Sequence, residues 1–248
     1  MTKKKRKAEK PEGERSILIN FVLDKSGSMD SIREATISGF NEFKNDQSDE
    51  EGQAFFTLTL FDTDFTTVCQ AVPVREVPDL DGTTYVPDGM TALYDAIGHT
   101  MRITDDFVAA NHPDQVVFVI MTDGYENASR EFDRDRIFKM IQDRQRDAEY
   151  EFIYLGANQD SYHAGEAMGV RGGRMMDYAA SPQGSREAFL RASHNVKAHR
   201  RMGTKQRDEF FSEDVEALGA IPADEWAAMP PEVRKHHRDQ ADGREKSA

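Results

Sequence analysis

The stretch "SILINFVLDKSGSMD", Ser16 to Asp30, begins with nine residues of which six are large and apolar, then packs one carboxylate, two hydroxyls and a glycine into five positions. Ile17, Leu18, Ile19, Phe21, Val22 and Leu23 do not alternate with polar residues. A strand with only one covered face would alternate, so this run predicts a central strand of a parallel sheet, buried on both sides. After the polar turn, Ile32, Ile37, Phe40 and Phe43 recur near helical spacing and predict a helix from about residue 31 to 44. Together they make one βα unit.

The same unit repeats along the chain. "QVVFVIMTDG", Gln115 to Gly124, is a second apolar run ending in Asp, followed by a charged helix over about 132–147 and the strand "EYEFIYLGAN", Glu149 to Asn158. Between the two units, "AFFTLTLFDT" (54–63) and "FTTVCQAVPV" (65–74) are rich in β-formers and meet across Asp64, the pattern of a hairpin. Pro73 suits an edge strand. "REVPDLDGTTYVPDGM" is a long turn-rich loop, and Thr91 to about Ala110 reads as a helix with the threonine as its start. A short helix over 159–169, a short strand in "GRMMDYA" and a helix over about 185–200 close the pattern. Strands alternating with helices predict an α/β fold: a doubly wound, mostly parallel, Rossmann-like sheet with one antiparallel edge strand and helices on both faces.

The chain has 248 residues, 38% of them apolar, which suits one domain, 16–200, between a basic arm at 1–15 and a polar extension at 201–248. The arm is expected to be disordered and the extension to form short helices and then disorder, with Phe210, Phe211, Val215, Leu218 and Ile221 docking on the domain. No run of about 18 apolar residues is present and the first residues lack the apolar centre of a signal peptide, so the expectation is a soluble cytoplasmic protein that uses no membrane. One cysteine, Cys69, cannot form an internal disulfide. Residues 1–15 hold seven Lys or Arg against three Glu, so the formal charge of −13 becomes −17 without them. Such a body repels phosphate backbones and tolerates a cation, which argues against nucleic acid as the main ligand.

In open α/β sheets ligands bind beyond the carboxyl ends of the strands. Asp24 and Asp123 stand at two such ends, and Thr91 follows a glycine-containing loop on the same edge. Oxygen donors without His or Cys favour a hard cation such as Mg²⁺. A tight turn at Gly27 can bring the Ser26 and Ser28 hydroxyls to the point that Asp24 faces. Each fragment also has a plain reading, since Ser26, Ser28, Asp30 and Thr91 could be helix caps and "TDG" an ordinary turn. Their joint occurrence, in order and each at the correct end of its element, favours the metal site.

These residues resemble the metal-ion-dependent adhesion site of von Willebrand factor type A (VWA) domains, written DxSxS, then T, then D. Here the pattern reads Asp24, Ser26, Ser28, Thr91 and Asp123. "VLDKSGSM", "GMTALYDAIG" and "IMTDGYENAS" look like the versions found in bacterial and phage members, as does "YLGANQD", whose Asn158 and Asp160 would lie beside the metal. The resemblance implies a Mg²⁺ or Mn²⁺ site and a protein partner that supplies a Glu or Asp to the metal. It also implies no catalysis, and a place in a larger bacterial or phage assembly. Two other classes compete. A metal-dependent phosphoesterase or hydrolase would need a second Asp where Ser26 stands, or a GxSxG or GxxxxGK[ST] motif, and none occurs. A nucleic-acid accessory would use "KKKRK" against the charge of the body.

Overall fold

Ser16–Asp24 forms strand β1, and all its residues except Ser16 are buried. The structure is a computed structural model that describes residues 15–147, 150–157, 161–171 and 173–202. Apart from Arg15, Arg201 and Met202, the basic arm and the polar extension lie outside the described residues, as do Asn158 and Asp160.

Helix α1 (Arg33–Ser48) follows a 3-10 segment at Gly27–Ile32. Strands β2 (Gln53–Phe61) and β3 (Phe65–Pro73) form the hairpin. Helix α2 (Leu93–Asn111) leads to β4 (Gln115–Thr122), α3 (Arg134–Asp147) and β5 (Glu151–Ala157). The short helix α4 (Ser161–Ala167), strand β6 (Met175–Tyr178) and helix α5 (Pro182–Met202) complete the order. The six strands lie in the order β3-β2-β1-β4-β5-β6, and only the β2–β3 pair is antiparallel. The predicted doubly wound sheet with its antiparallel edge is therefore present.

Side chains alternate across a strand, so β1 divides the core in two. Ile17, Ile19, Phe21 and Leu23 pack with α1, α5 and the β3–α2 loop. Leu18 and Val22 pack with α2 and α3 on the other face. The α1 residues Thr36, Gly39, Phe40, Phe43 and Gln47 are buried at three- and four-residue steps, as one helical face requires. Helix α2 ends where His112 turns left-handed (φ 51°) and donates its N–H to Val108 O at 2.9 Å, just before Pro113.

One buried charge ties α5 to α1. Arg200, 5% exposed, donates to the carbonyl of Gln47, which α1 cannot satisfy at its own C-terminal end, and, at 3.0 Å, to that of Glu51 just beyond the helix. Burial holds its pKa below the usual arginine value. Arg200→Ala should cost about 2–4 kcal/mol, because it strands the buried Gln47 carbonyl and opens a gap between α5 and α1. The neighbouring Arg201–Glu50 pair is exposed on the arginine side, and Arg201→Ala should cost at most about 1 kcal/mol. Paired urea melts test this, and equal costs would refute the assignment.

Candidate metal centre

Chain direction reverses between β1 and β4: from β1 the chain winds toward β2 and β3, from β4 toward β5 and β6. That is the switch point where open sheets form clefts. The parallel register pairs Leu23 with Met121, so Asp24 and Thr122 emerge side by side at the carboxyl edge, with Asp123 one residue on.

The Asp24 carboxylate is fully buried. Its Oδ1 accepts the Ser26 N–H at 2.6 Å and its Oδ2 accepts the Thr122 hydroxyl at 2.5 Å. Ser26 Oγ lies 3.2 Å from Ser28 Oγ, and the Ser28 hydroxyl donates to Asp123 Oδ1 at 2.5 Å. A single chain of contacts therefore links Asp24, Ser26, Ser28 and Asp123. Thr91 joins from the loop just before α2: a Cβ on Gly124 would stand 3.2 Å from Thr91 Oγ1 and 3.8 Å from Ser28 Oγ. All five residues expected from the sequence meet at this edge.

The helix-cap readings of Ser26 and Thr91 fail, while "TDG" does form a turn in which the Thr122 hydroxyl accepts the Gly124 N–H at 3.1 Å. Ser26 precedes the 3-10 segment but its side chain makes no capping bond. Thr91, expected to start its helix, does not: α2 begins at Leu93 with Ala92 in the cap position. The reason is a competing clamp. Thr91 N–H donates to Asn127 Oδ1 at 2.8 Å and Thr91 O accepts Asn127 N–H at 3.0 Å, which holds the threonine against the β4–α3 loop. The open N–H groups of α2 are met from that same loop, Tyr94 by Glu126 Oε2 (2.9 Å) and Asp95 by Ser129 Oγ (3.0 Å). Asp95 in return accepts the N–H groups of Arg130, Glu131 and Phe132.

Other supports were not foreseen. The buried Tyr85 hydroxyl donates to Asp24 O at 2.5 Å, fastening the β3–α2 loop beneath the site. Gly89 sits at φ +72° and its carbonyl accepts the Gly27 N–H at 3.2 Å; a Cβ there would also overlap Thr63 Oγ1. Lys25 is ion-paired with Asp62. The "DKSGS" spacing gave no sign of these partners, because each lies over 30 positions away.

Burial is the largest influence on both carboxylates. It pushes Asp24 up to about 6, against the hydrogen bonds from Thr122 and Ser26, and the nearby Asp123 charge adds to the rise. Asp123 is raised in the same way, partly offset by Ser28. Among the described residues no cationic side chain bonds to either buried carboxylate; their partners are the Ser26 N–H and the hydroxyls of Thr122 and Ser28. This donor set fits a small hard cation. Among the described residues no three His, Cys, Asp or Glu side chains are grouped to hold a metal, so any such site depends on hydroxyls.

The fold is that of VWA domains. It is similar to the vWF domain of the type V pili tip protein Mfa5 from Porphyromonas gingivalis (TM-score 0.58, 9% identity, covering 78% of this chain and 99% of that one). It is also similar to the pilus adhesin SpaC from Lactobacillus rhamnosus GG in its open conformation (TM-score 0.59, 12% identity, 78% and 31%). A third is proximal thread matrix protein 1 from the mussel byssus, in a structure whose MIDAS motif is occupied by zinc (TM-score 0.53, 13% identity, 75% and 46%). The chain thus spans less than half the length of the mussel protein, and at these identities the likeness is one of fold. No protein-family model and no curated protein matches the sequence. Among the described residues no helix is long and apolar enough to cross a membrane.

Proposed function

We propose that this chain is a metal-dependent protein-interaction module, in which Asp24, Ser26, Ser28, Thr91 and Asp123 hold Mg²⁺ or Mn²⁺ and a partner protein supplies a Glu or Asp. The observation that carries this reading is the bonded series from buried Asp24 through Ser26 and Ser28 to Asp123 at the switch point. When bound, the cation supplies a positive centre that a partner carboxylate can complete. The chain's own residues prepare for it. Thr122 and the Ser26 N–H fix both Asp24 oxygens, so the carboxylate needs no reorientation. Ser28 gives its proton to Asp123, which leaves its oxygen lone pairs free to act as donors to a cation. The Asn127 clamp sets Thr91 in place before any ligand arrives.

The motif contexts that resemble bacterial and phage proteins support a place as a cytoplasmic subunit of a larger assembly. The reading is of a binding module and not an enzyme; phosphoester turnover that requires Asp24 would reverse it. The test is a pull-down from the producing cells in Mg²⁺ and in EDTA, with wild type and Asp24→Ala as bait. A partner retained only by wild type in Mg²⁺ is expected. Equal recovery in all four arms would sink the reading.

A further inference from the structure

Among the described residues only five large apolar side chains are well exposed, and three of them stand on the two loops that carry Thr91 and Asp123. These are Val86 (49% exposed), Met90 (49%) and Tyr125 (64%). The other two, Phe138 and Leu190, stand singly on α3 and α5. Scattered apolar residues need no explanation, but a group around one cleft does.

The loops fix these side chains in place. Val86 follows Tyr85, which is bonded to Asp24 O, and precedes Asp88, whose N–H donates to Lys25 O at 2.9 Å. Met90 N–H donates to Thr63 Oγ1 at 2.9 Å, and the next residue is Thr91. Tyr125 lies between Gly124, which abuts Thr91 Oγ1, and Glu126, which accepts the N–H groups of Ala128 (2.9 Å) and Ser129 (2.7 Å). Loops held this firmly cannot collapse to hide their apolar side chains. Around them Asp30, Asp64 and Asp88 are exposed carboxylates, Lys25 is already paired with Asp62, and the Arg33 guanidinium is engaged by the carbonyls of Tyr85 and Gly82.

We propose that Val86, Met90 and Tyr125 form an apolar collar selecting a protein segment in which one Asp or Glu is flanked by apolar side chains, with Lys or Arg beyond them. This rests on the metal-dependent reading above and specifies the partner's chemistry. The carboxylate is drawn to the centre, the apolar flanks exclude water and so strengthen that attraction, and the basic residues meet the acidic surround. An acidic segment without those flanks gains one contact and meets repulsion from three carboxylates.

The test pans random linear peptides displayed on phage against the full chain in millimolar Mn²⁺, with elution by EDTA. Enrichment of apolar residues next to a single acid, and of Lys or Arg farther out, is expected. The double variant Met90→Ser/Tyr125→Ser, altered only at exposed positions, should keep the Mn²⁺-induced rise in melting temperature while binding the selected peptides at least about tenfold more weakly. Changing the peptides' apolar flanks to Ser should weaken wild-type binding to a similar degree. EDTA-eluted peptides without apolar enrichment, or variant binding within about twofold of wild type, would overturn the collar while leaving the metal reading intact. No Mn²⁺-induced shift in wild type would overturn both.

Discussion

In EDTA at pH 8, Asp24→Asn should melt several degrees above wild type, and adding Mg²⁺ or Mn²⁺ should raise wild type while leaving the variant unmoved. The first half follows from the cost of an ionised carboxylate in a fully buried position. Asp24 is pushed from 3.8 up to about 6, so between those values the folded chain binds its proton more tightly than the unfolded chain does. The Asp24 contribution to metal-free stability therefore falls as pH rises from about 4 through about 6, by up to about 3 kcal/mol, and is flat above. Asn carries no charge and avoids that loss. It also fits: Oδ1 keeps the Ser26 N–H, and the Thr122 hydroxyl can turn to Gly124 O, 3.2 Å away, and accept from the new amide. The second half follows from linkage, since a cation bound only by the folded state stabilises it by about 2.7 kcal/mol at a hundredfold excess over its Kd. Melting curves across pH, with and without metal, check both. A variant that melts below wild type in EDTA, or that still responds to metal, would contradict the assignment of Asp24.

Phe21→Ala should produce the largest loss of stability of any single change considered. Phe21 is fully buried, and its ring meets Phe40 at 5.6 Å and Phe43 at 5.1 Å edge to face, and Phe56 at 6.5 Å and Phe189 at 5.8 Å in stacked orientation. Those four rings come from α1, β2 and α5, so one side chain joins three elements to the central strand. Removing it leaves a cavity that rings fixed from several sides cannot fill, at a cost of about 3–5 kcal/mol plus lost ring pairing. A domain stable by only about 5–15 kcal/mol would lose a large share. The urea midpoint should fall sharply with the slope unchanged. A loss under about 1 kcal/mol would mean that the aromatic cluster does not anchor the sheet.

The fold was legible because its two central strands have no exposed face. Buried on both sides, 17–23, broken only by Asn20, and 116–121 had to be written as apolar runs, and such runs are read directly. The candidate ligands were legible for a different reason: Asp24, Ser26 and Ser28 lie within one turn, so their spacing survives in the sequence. Their supports were not. Tyr85 reaches Asp24 from 61 positions away and Thr122 from 98, and only the register of β1 against β4 makes Thr122 a neighbour. Thr91 misled as a helix start because local propensity favours Thr as a cap, whereas Asn127, 36 residues on, takes its N–H. Side chains that act on one another across elements leave no local pattern.

The most direct test of the central claim is a titration of Mn²⁺ into the full chain followed by electron paramagnetic resonance, with Mg²⁺ as competitor. One ion bound per wild-type chain, displaced by Mg²⁺ and lost in both Asp24→Asn and Asp123→Asn, is the expected result. Mn²⁺ that stays free at millimolar concentration, or that binds both variants as tightly as wild type, would contradict an oxygen-only metal site at the β1–β4 switch point.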